Sequence, residues 1–117
     1  MKQKKILVVD DDAYVRTLVV KVLNARRYLA LPAGDAWQAM DQLQQHSIDL
    51  IILDLLMPKM SGGELIKIMK KKQPWTPIII VSGEGGNQDK LDAIKHHIFE
   101  YFEKPVELPK IAESAER

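Results

Sequence analysis

The stretch Ile6-Leu-Val-Val-Asp-Asp-Asp12 decides the fold of this chain. Its first four residues are an unbroken apolar run, which is typical of a β-strand buried on both faces. The abrupt change to three carboxylates marks the end of that strand. Apolar side chains then recur at the spacing of one helix face, at Val15, Leu18, Val19, Val22 and Leu23. We therefore predict a strand followed directly by an amphipathic helix.

The same alternation of strand and helix continues along the rest of the chain. Further short apolar runs predict strands at residues 28–31, 50–53, 77–81 and 100–103. Asp35 with Gln38, and Ser61 with Glu64, have the spacing of a capping box and predict the starts of two more helices. A fourth helix is expected at roughly residues 87–96, and a last helix buries Leu108, Ile111, Ala112 and Ala115. Five such units predict an α/β fold, a doubly wound parallel sheet with helices on both faces.

Composition restricts the class of protein. Of the 117 residues 46% are apolar, too many for a disordered chain, and no cysteine is present to form a disulfide, a thiolate metal site or a nucleophile. The formal net charge of +1 argues against direct binding of nucleic acid. No apolar run is long enough for the core of a signal peptide or for a membrane span. We expect residues 1–117 to form one cytoplasmic domain that does not bind a membrane.

The polar residues that follow the predicted strands are the candidate functional residues. In a doubly wound sheet, ligands bind beyond the carboxyl ends of the strands. The side chains expected there are Asp10, Asp11 and Asp12 after the first strand, Asp54 after the third, Ser82 after the fourth and Lys104 after the fifth. Clustered carboxylates repel one another, and a hard divalent cation such as Mg²⁺ removes that penalty. Asp12 is better interpreted as a cap on the first helix than as a metal ligand.

Four segments in this order resemble the receiver domain of two-component response regulators over essentially the whole chain. They are residues 6–12, the segment Asp54-Leu-Leu-Met-Pro-Lys-Met-Ser-Gly62, then Ser82, and finally Lys104-Pro105. The resemblance implies a flavodoxin-like, five-stranded sheet of strand order 2-1-3-4-5. It also implies that the chain accepts a phosphoryl group from a phosphohistidine of a sensor histidine kinase or histidine phosphotransferase. The signal would then pass to an output domain or protein partner.

The resemblance assigns chemical roles to individual residues. Asp54 would be the phosphoacceptor, and Mg²⁺ would be held by Asp10, Asp11, Asp54 and the backbone carbonyl of Leu56. A receiver of this kind is not an enzyme in the usual sense, although it catalyses its own phosphorylation and slow autodephosphorylation. The side chains of Leu56 and Glu84 would flank the path of the attacking water and tune the lifetime of the phosphoryl group.

The resemblance also implies a switch and a shaped loop. Lys104 and the Ser82 hydroxyl would bind phosphoryl oxygens, and Tyr101 would be the aromatic residue that turns inward when Ser82 moves. The face formed by the fourth helix, the fifth strand and the last helix would carry the output. The residues expected to shape the loops are Met57, Pro58, Gly62 and Pro105.

Two other functions stay open at this point. A haloacid-dehalogenase-like phosphatase also uses a strand-end aspartate nucleophile with Mg²⁺, and Asp10 and Asp12 match the start of its motif. Tyr14, however, replaces the expected Thr or Val, and Asp54 would have no role. The other alternative is a receiver-like interaction module that is never phosphorylated. A pure binding module has no reason to keep a repulsive cluster of carboxylates, which argues against this alternative.

Overall fold

The computed structural model of the chain describes residues 3–54, 62–82 and 100–103. The strands are β1 (Lys5–Val9), β2 (Leu29–Ala33), β3 (Leu50–Asp54), β4 (Ile78–Ser82) and β5 (Glu100–Glu103). The helices within these ranges are α1 (Ala13–Ala25), α2 (Ala36–Gln45) and α3 (Gly62–Lys72). Every strand pair is parallel, and the order in the sheet is β2-β1-β3-β4-β5. The predicted α/β fold and its strand order are confirmed.

The predicted boundaries need their largest correction at β2. The apolar pattern predicts a strand at residues 28–31, whereas β2 continues to Ala33 and includes Pro32. Proline lacks an N–H and is therefore confined to edge strands, strand starts and bulges. Because β2 pairs only with β1, it is an edge of the sheet, and Pro32 is exposed there. The edge position allows β2 to continue through Pro32 to Ala33, and the local apolar pattern gives no sign of that position.

The starts of α1 and α2 are capped as predicted. The Asp12 carboxylate accepts hydrogen bonds from the backbone N–H groups of Tyr14 and Val15, at 2.9 and 3.2 Å. The Asp35 carboxylate accepts from the N–H of Gln38 at 2.8 Å. Each cap satisfies N–H groups that have no partner inside the helix, which stabilises the fold by about 1 kcal/mol.

The helices cover the two faces of the sheet with two separate apolar clusters. Successive residues of a strand point to opposite faces. In β1, Leu7 and Val9 belong to the cluster under α2 and α3, whereas Ile6 and Val8 belong to the cluster under α1. Each large apolar side chain buried in this way contributes roughly 1.5–3 kcal/mol. Burial on both faces, which the unbroken apolar run predicts, fixes the position of β1 and β3 in the centre of the sheet.

A buried glutamine ties the elements together at the amino-end edge of the sheet. The side-chain amide of Gln73 donates to the backbone carbonyls of Leu43 and His46, both at 2.9 Å. Its side-chain oxygen accepts from the N–H of Ile48 at 2.9 Å. Gln73, the residue after α3, therefore joins this helix to the end of α2 and to the segment that enters β3.

Lys70 and Thr76 reinforce the same edge. The Thr76 hydroxyl donates to the backbone carbonyl of Ile48 at 2.9 Å. The Lys70 ammonium donates in turn to the backbone carbonyl of Thr76. Partial burial lowers the pKa of the Lys70 ammonium below its ordinary value, because desolvation disfavours the charged form.

Several predicted features lie outside the described residues. They are the Ser61 cap of α3, the fourth helix near residues 87–96 and the last helix. Within the described ranges, no helix combines the length and the apolar character that crossing a bilayer requires.

Candidate functional site

Three carboxylates meet at the carboxyl end of the central strands. Each of Asp10, Asp11 and Asp54 offers an oxygen, and these oxygens all lie within 4.8 Å of one another. Asp10 is 6% exposed and Asp54 is 5% exposed, whereas Asp11 is open to solvent. The structure thus brings together the three carboxylates that the sequence places at the ends of two strands.

The pairing of β1 with β3 explains this convergence. Val9 and Leu53 are register partners in the parallel ladder, so Asp10 and Asp54 are the next residues on neighbouring strands. The backbone N–H of Asp10 donates to the carbonyl of Ala33 in β2 at 3.1 Å. Asp10 is therefore bound to β2 through its backbone, and its place beside Asp54 follows from the register of β1 with β3.

The loop between β1 and α1 is also fixed by its own carboxylates. The N–H of Asp12 donates to Oδ1 of Asp10 at 2.9 Å. The Asp12 carboxylate is occupied by the N-terminus of α1. Its prediction as a helix cap is confirmed, and the three carboxylates of the cluster do not include it.

This arrangement suits a hard divalent cation. Two largely buried carboxylates at this separation repel each other, and burial weakens the screening that water would supply. Mg²⁺ binds through a small number of carboxylate oxygens and keeps several waters. Among the described residues, Asp11 is exposed, so its carboxylate is accessible to the waters that Mg²⁺ retains. The three residues therefore fit a magnesium ion by donor type, by charge and by access.

The backbone register also locates residues on the neighbouring strands. Val81 is the partner of Asp54 in the pairing of β3 with β4, so Ser82 ends β4 at the same rim of the sheet. Tyr101 lies in β5, which pairs with β4, and Gly62 is the first residue of α3. Outside the described residues lie the other predicted site residues, Leu56, Met57, Pro58, Glu84, Lys104 and Pro105.

One contact at the site was not predicted from the sequence. The guanidinium of Arg16, one turn into α1, donates through Nη1 to the backbone carbonyl of Asp10 at 2.7 Å. The spacing of six residues between Asp10 and Arg16 is not a recognised motif. A long side chain that folds back over the preceding loop also leaves no periodic pattern in the sequence. Only the position of Arg16 on the helix that follows the aspartates could have suggested it.

Comparison with known proteins agrees with this geometry. The family described as the response regulator receiver domain matches residues 6–116. The chain is 32% identical to the nitrogen assimilation regulatory protein NtrX of Azorhizobium caulinodans over 114 residues, covering 96% of this chain and 25% of that protein. It is 34% identical to the transcriptional regulatory protein CpxR of Escherichia coli over 101 residues, covering 86% of this chain and 43% of that protein. The chain thus spans about a quarter of the length of the NtrX relatives that it matches.

Solved structures show the same similarity in three dimensions. A response regulator receiver protein from Pseudomonas putida superimposes with a TM-score of 0.90 at 30% identity, covering 99% of this chain and 98% of that one. NtrX from Brucella abortus, solved in complex with ATP, also gives 0.90 at 29% identity, covering 99% of this chain and 27% of that one. These matches favour the receiver interpretation over the phosphatase alternative. By sequence, fold and strand-end carboxylates, the chain belongs to the response regulator receiver domain family.

Proposed function

We propose that this chain accepts a phosphoryl group on Asp54 from a phosphohistidine, in a reaction that depends on Mg²⁺. The donor would be a sensor histidine kinase or a histidine phosphotransferase. The observation that carries the proposal is the convergence of Asp10, Asp11 and Asp54 within 4.8 Å, with Asp54 buried at the end of a central strand. A carboxylate held there by the sheet is positioned to attack, while its neighbours hold the cation.

The transfer needs little covalent chemistry from the protein. An oxygen of Asp54 forms a bond to phosphorus as the nitrogen–phosphorus bond of the phosphohistidine breaks, and the released imidazole keeps the electron pair. Catalysis of such a step consists mainly of positioning and of stabilising charge. Asp10, Asp11, Asp54 and the carbonyl of Leu56 would hold Mg²⁺, which neutralises negative charge on the phosphoryl oxygens when bound. In this proposal the chain promotes its own phosphorylation and a slow autodephosphorylation.

The other residues of the site would bind the phosphoryl group and respond to its presence. We assign Lys104 and the Ser82 hydroxyl to phosphoryl oxygens, and Tyr101 to the switch that follows movement of Ser82. The register of β4 with β3 supports the assignment of Ser82, because the strand carries its backbone to the rim where Asp54 lies. Loop-shaping roles are assigned to Met57, Pro58, Gly62 and Pro105.

The proposal also covers the extent of the domain, its cellular location and its partners. Residues 1–117 would form one receiver domain in the cytoplasm, and the face near β5 would carry the output to a further domain or a protein partner. The net charge of +1 supports recognition of proteins over direct binding of nucleic acid.

Intact-mass measurement tests this function. The parent protein is incubated with acetyl phosphate and Mg²⁺, and we expect the addition of one phosphoryl group. Excess EDTA should abolish it, because the incoming anion then approaches the three carboxylates without a divalent cation to offset their charge. Asp54→Asn should also abolish it, whereas the matched control Asp41→Asn, an exposed aspartate on α2, should label like the parent. A parent protein that takes up no phosphoryl group would favour the unphosphorylated interaction module.

A further inference from the structure

We propose that Arg16 is a positioning residue for the Mg²⁺ site, because its guanidinium holds the loop that carries two of the three carboxylates. The inference rests on the proposed Mg²⁺-dependent function and goes beyond it by assigning a residue outside the set of direct ligands. Arg16 lies on α1, and its side chain returns across the loop that connects β1 to this helix.

The first observation is the contact with Asp10. Nη1 of Arg16 donates to the backbone carbonyl of Asp10 at 2.7 Å, and the N–H of Arg16 donates to the carbonyl of Asp12 at 2.9 Å. A hydrogen bond from a guanidinium is short and roughly twice as strong as a neutral one. The second bond is an ordinary backbone bond of the first turn of α1, so the bond to Asp10 is the one that depends on the Arg16 side chain.

The second observation is the contact with the turn between β2 and α2. A Cβ atom placed on Gly34 would lie 3.0 Å from Nη1 and 3.3 Å from Cζ of Arg16. The N–H of Gly34 donates to Oε1 of Gln38 at 2.7 Å, which fixes the turn against α2. The guanidinium is thus packed between two loops, and its freedom to move away from Asp10 is small. A side chain at position 34 would therefore crowd the guanidinium.

These contacts determine the position of Asp10 in three directions. Its N–H is bound to Ala33, its carbonyl to Arg16 and one carboxylate oxygen to the N–H of Asp12. Without the Arg16 side chain, the carbonyl of Asp10 loses this hydrogen bond. Residues that orient metal ligands commonly change metal affinity by about 10–100-fold when they are removed. We expect Arg16 to act in this way, with its positive charge adding to the effect by offsetting repulsion among the carboxylates.

Calorimetric titration of the metal-free protein with Mg²⁺ tests the assignment. Arg16→Met keeps the length of the side chain but removes its donors, and it should weaken Mg²⁺ binding by about tenfold. Lys21→Met, at an exposed position on the same helix, should leave the affinity unchanged. Val19→Ala, in the core under α1, should lower the melting temperature without changing the affinity, which separates positioning from general stability. Unchanged Mg²⁺ affinity in Arg16→Met would overturn the inference.

A double-mutant cycle with Gly34 makes the test specific. Gly34 does not adopt a left-handed conformation, so Gly34→Ala retains the backbone and acts by pushing the guanidinium. It should weaken Mg²⁺ binding several-fold in the parent and have no further effect in Arg16→Met. If the two substitutions reduce Mg²⁺ affinity additively, the inference is wrong. If Arg16→Met does not fold, an unchanged Mg²⁺ affinity in Gly34→Ala would also show it to be wrong. A parent protein that binds no Mg²⁺ would instead overturn the proposed Mg²⁺-dependent function on which the inference rests.

Discussion

Asp10 and Asp54 occupy equivalent positions on two hydrogen-bonded strands, each one residue beyond the register pair of Val9 and Leu53. The geometry of the candidate site is therefore a consequence of sheet register. Because side chains alternate between the two faces of a sheet, a slip of one residue would exchange the residues of β3 between the two apolar clusters and move Asp54 out of line with Asp10. The same core packing that stabilises the domain thus sets the separation of its carboxylates.

Repulsion within the cluster predicts an unusual effect of removing one carboxylate. We expect Asp11→Asn to raise the melting temperature in EDTA, because it relieves repulsion with Asp10 and Asp54, and to weaken the stabilisation that Mg²⁺ confers. Thermal melts with EDTA and with Mg²⁺ measure both effects. The matched control Asp41→Asn should melt like the parent in both conditions. An Asp11→Asn protein that is less stable than the parent in EDTA would refute the repulsion argument.

The network around Gln73 predicts a large loss of stability from an apolar replacement. Gln73→Leu preserves the approximate volume but leaves the N–H of Ile48 and the carbonyls of Leu43 and His46 without this partner. Buried polar groups that lose their partners cost about 1–3 kcal/mol each, so we expect a loss of roughly 3 kcal/mol in the free energy of unfolding. Urea denaturation measures it. Gln44→Leu, at an exposed site on α2, is the control and should change stability little. Equal losses in the two variants would contradict the role of the network.

The backbone conformation of Arg27, just after the end of α1, predicts that its replacement by glycine stabilises the protein. Its backbone is left-handed, with a φ of 72°. The N–H of Arg27 donates to the carbonyl of Asn24, and the N–H of Tyr28 donates to the carbonyl of Leu23. These two bonds form a Schellman motif, in which glycine is the preferred residue at the position of Arg27. We expect Arg27→Gly to stabilise the domain by roughly 0.5–1 kcal/mol, since the relief of strain exceeds the added entropy of the unfolded chain.

The neighbouring residue supplies the control for that substitution. Arg26 has an ordinary φ of −97°, so Arg26→Gly should destabilise the domain. Urea denaturation of both variants is the measurement. If Arg27→Gly is no more stable than Arg26→Gly, the left-handed conformation is not a source of strain.

We expect the side chain at position 56 to affect how long the phosphoryl group persists on Asp54. If Leu56 and Glu84 flank the path of the attacking water, as the resemblance to receivers implies, the Leu56 side chain would shield phosphorus and the Glu84 carboxylate would be able to orient a water. We expect Leu56→Asn to speed autodephosphorylation about fivefold, which corresponds to roughly 1 kcal/mol of barrier. The decay of phosphorylated protein after removal of the donor gives the rate. Decay in the variant that is unchanged or slower would show that Leu56 does not exclude the water.

The sequence predicts this fold well because its local signals agree with one another. The buried run before Asp10 and the caps at Asp12 and Asp35 each point to the same element in the structure. Two features could not be predicted because they depend on the three-dimensional arrangement of the chain. Pro32 is accommodated because β2 is an edge strand, and the Arg16 side chain folds back onto the loop that precedes its own helix. Periodicity reports which face a side chain occupies, but it carries no information about where a long polar side chain ends.

The most direct test of the central claim is the identity of the phosphorylated residue. Borohydride reduces an aspartyl phosphate to homoserine, so peptide mass analysis of the reduced, phosphorylated protein locates the acceptor. We predict homoserine at Asp54 alone, with no conversion at Asp10 or Asp11, although all three carboxylates lie within 4.8 Å. Conversion at Asp10 would contradict the account, because it would assign the nucleophile to β1, as the phosphatase alternative requires.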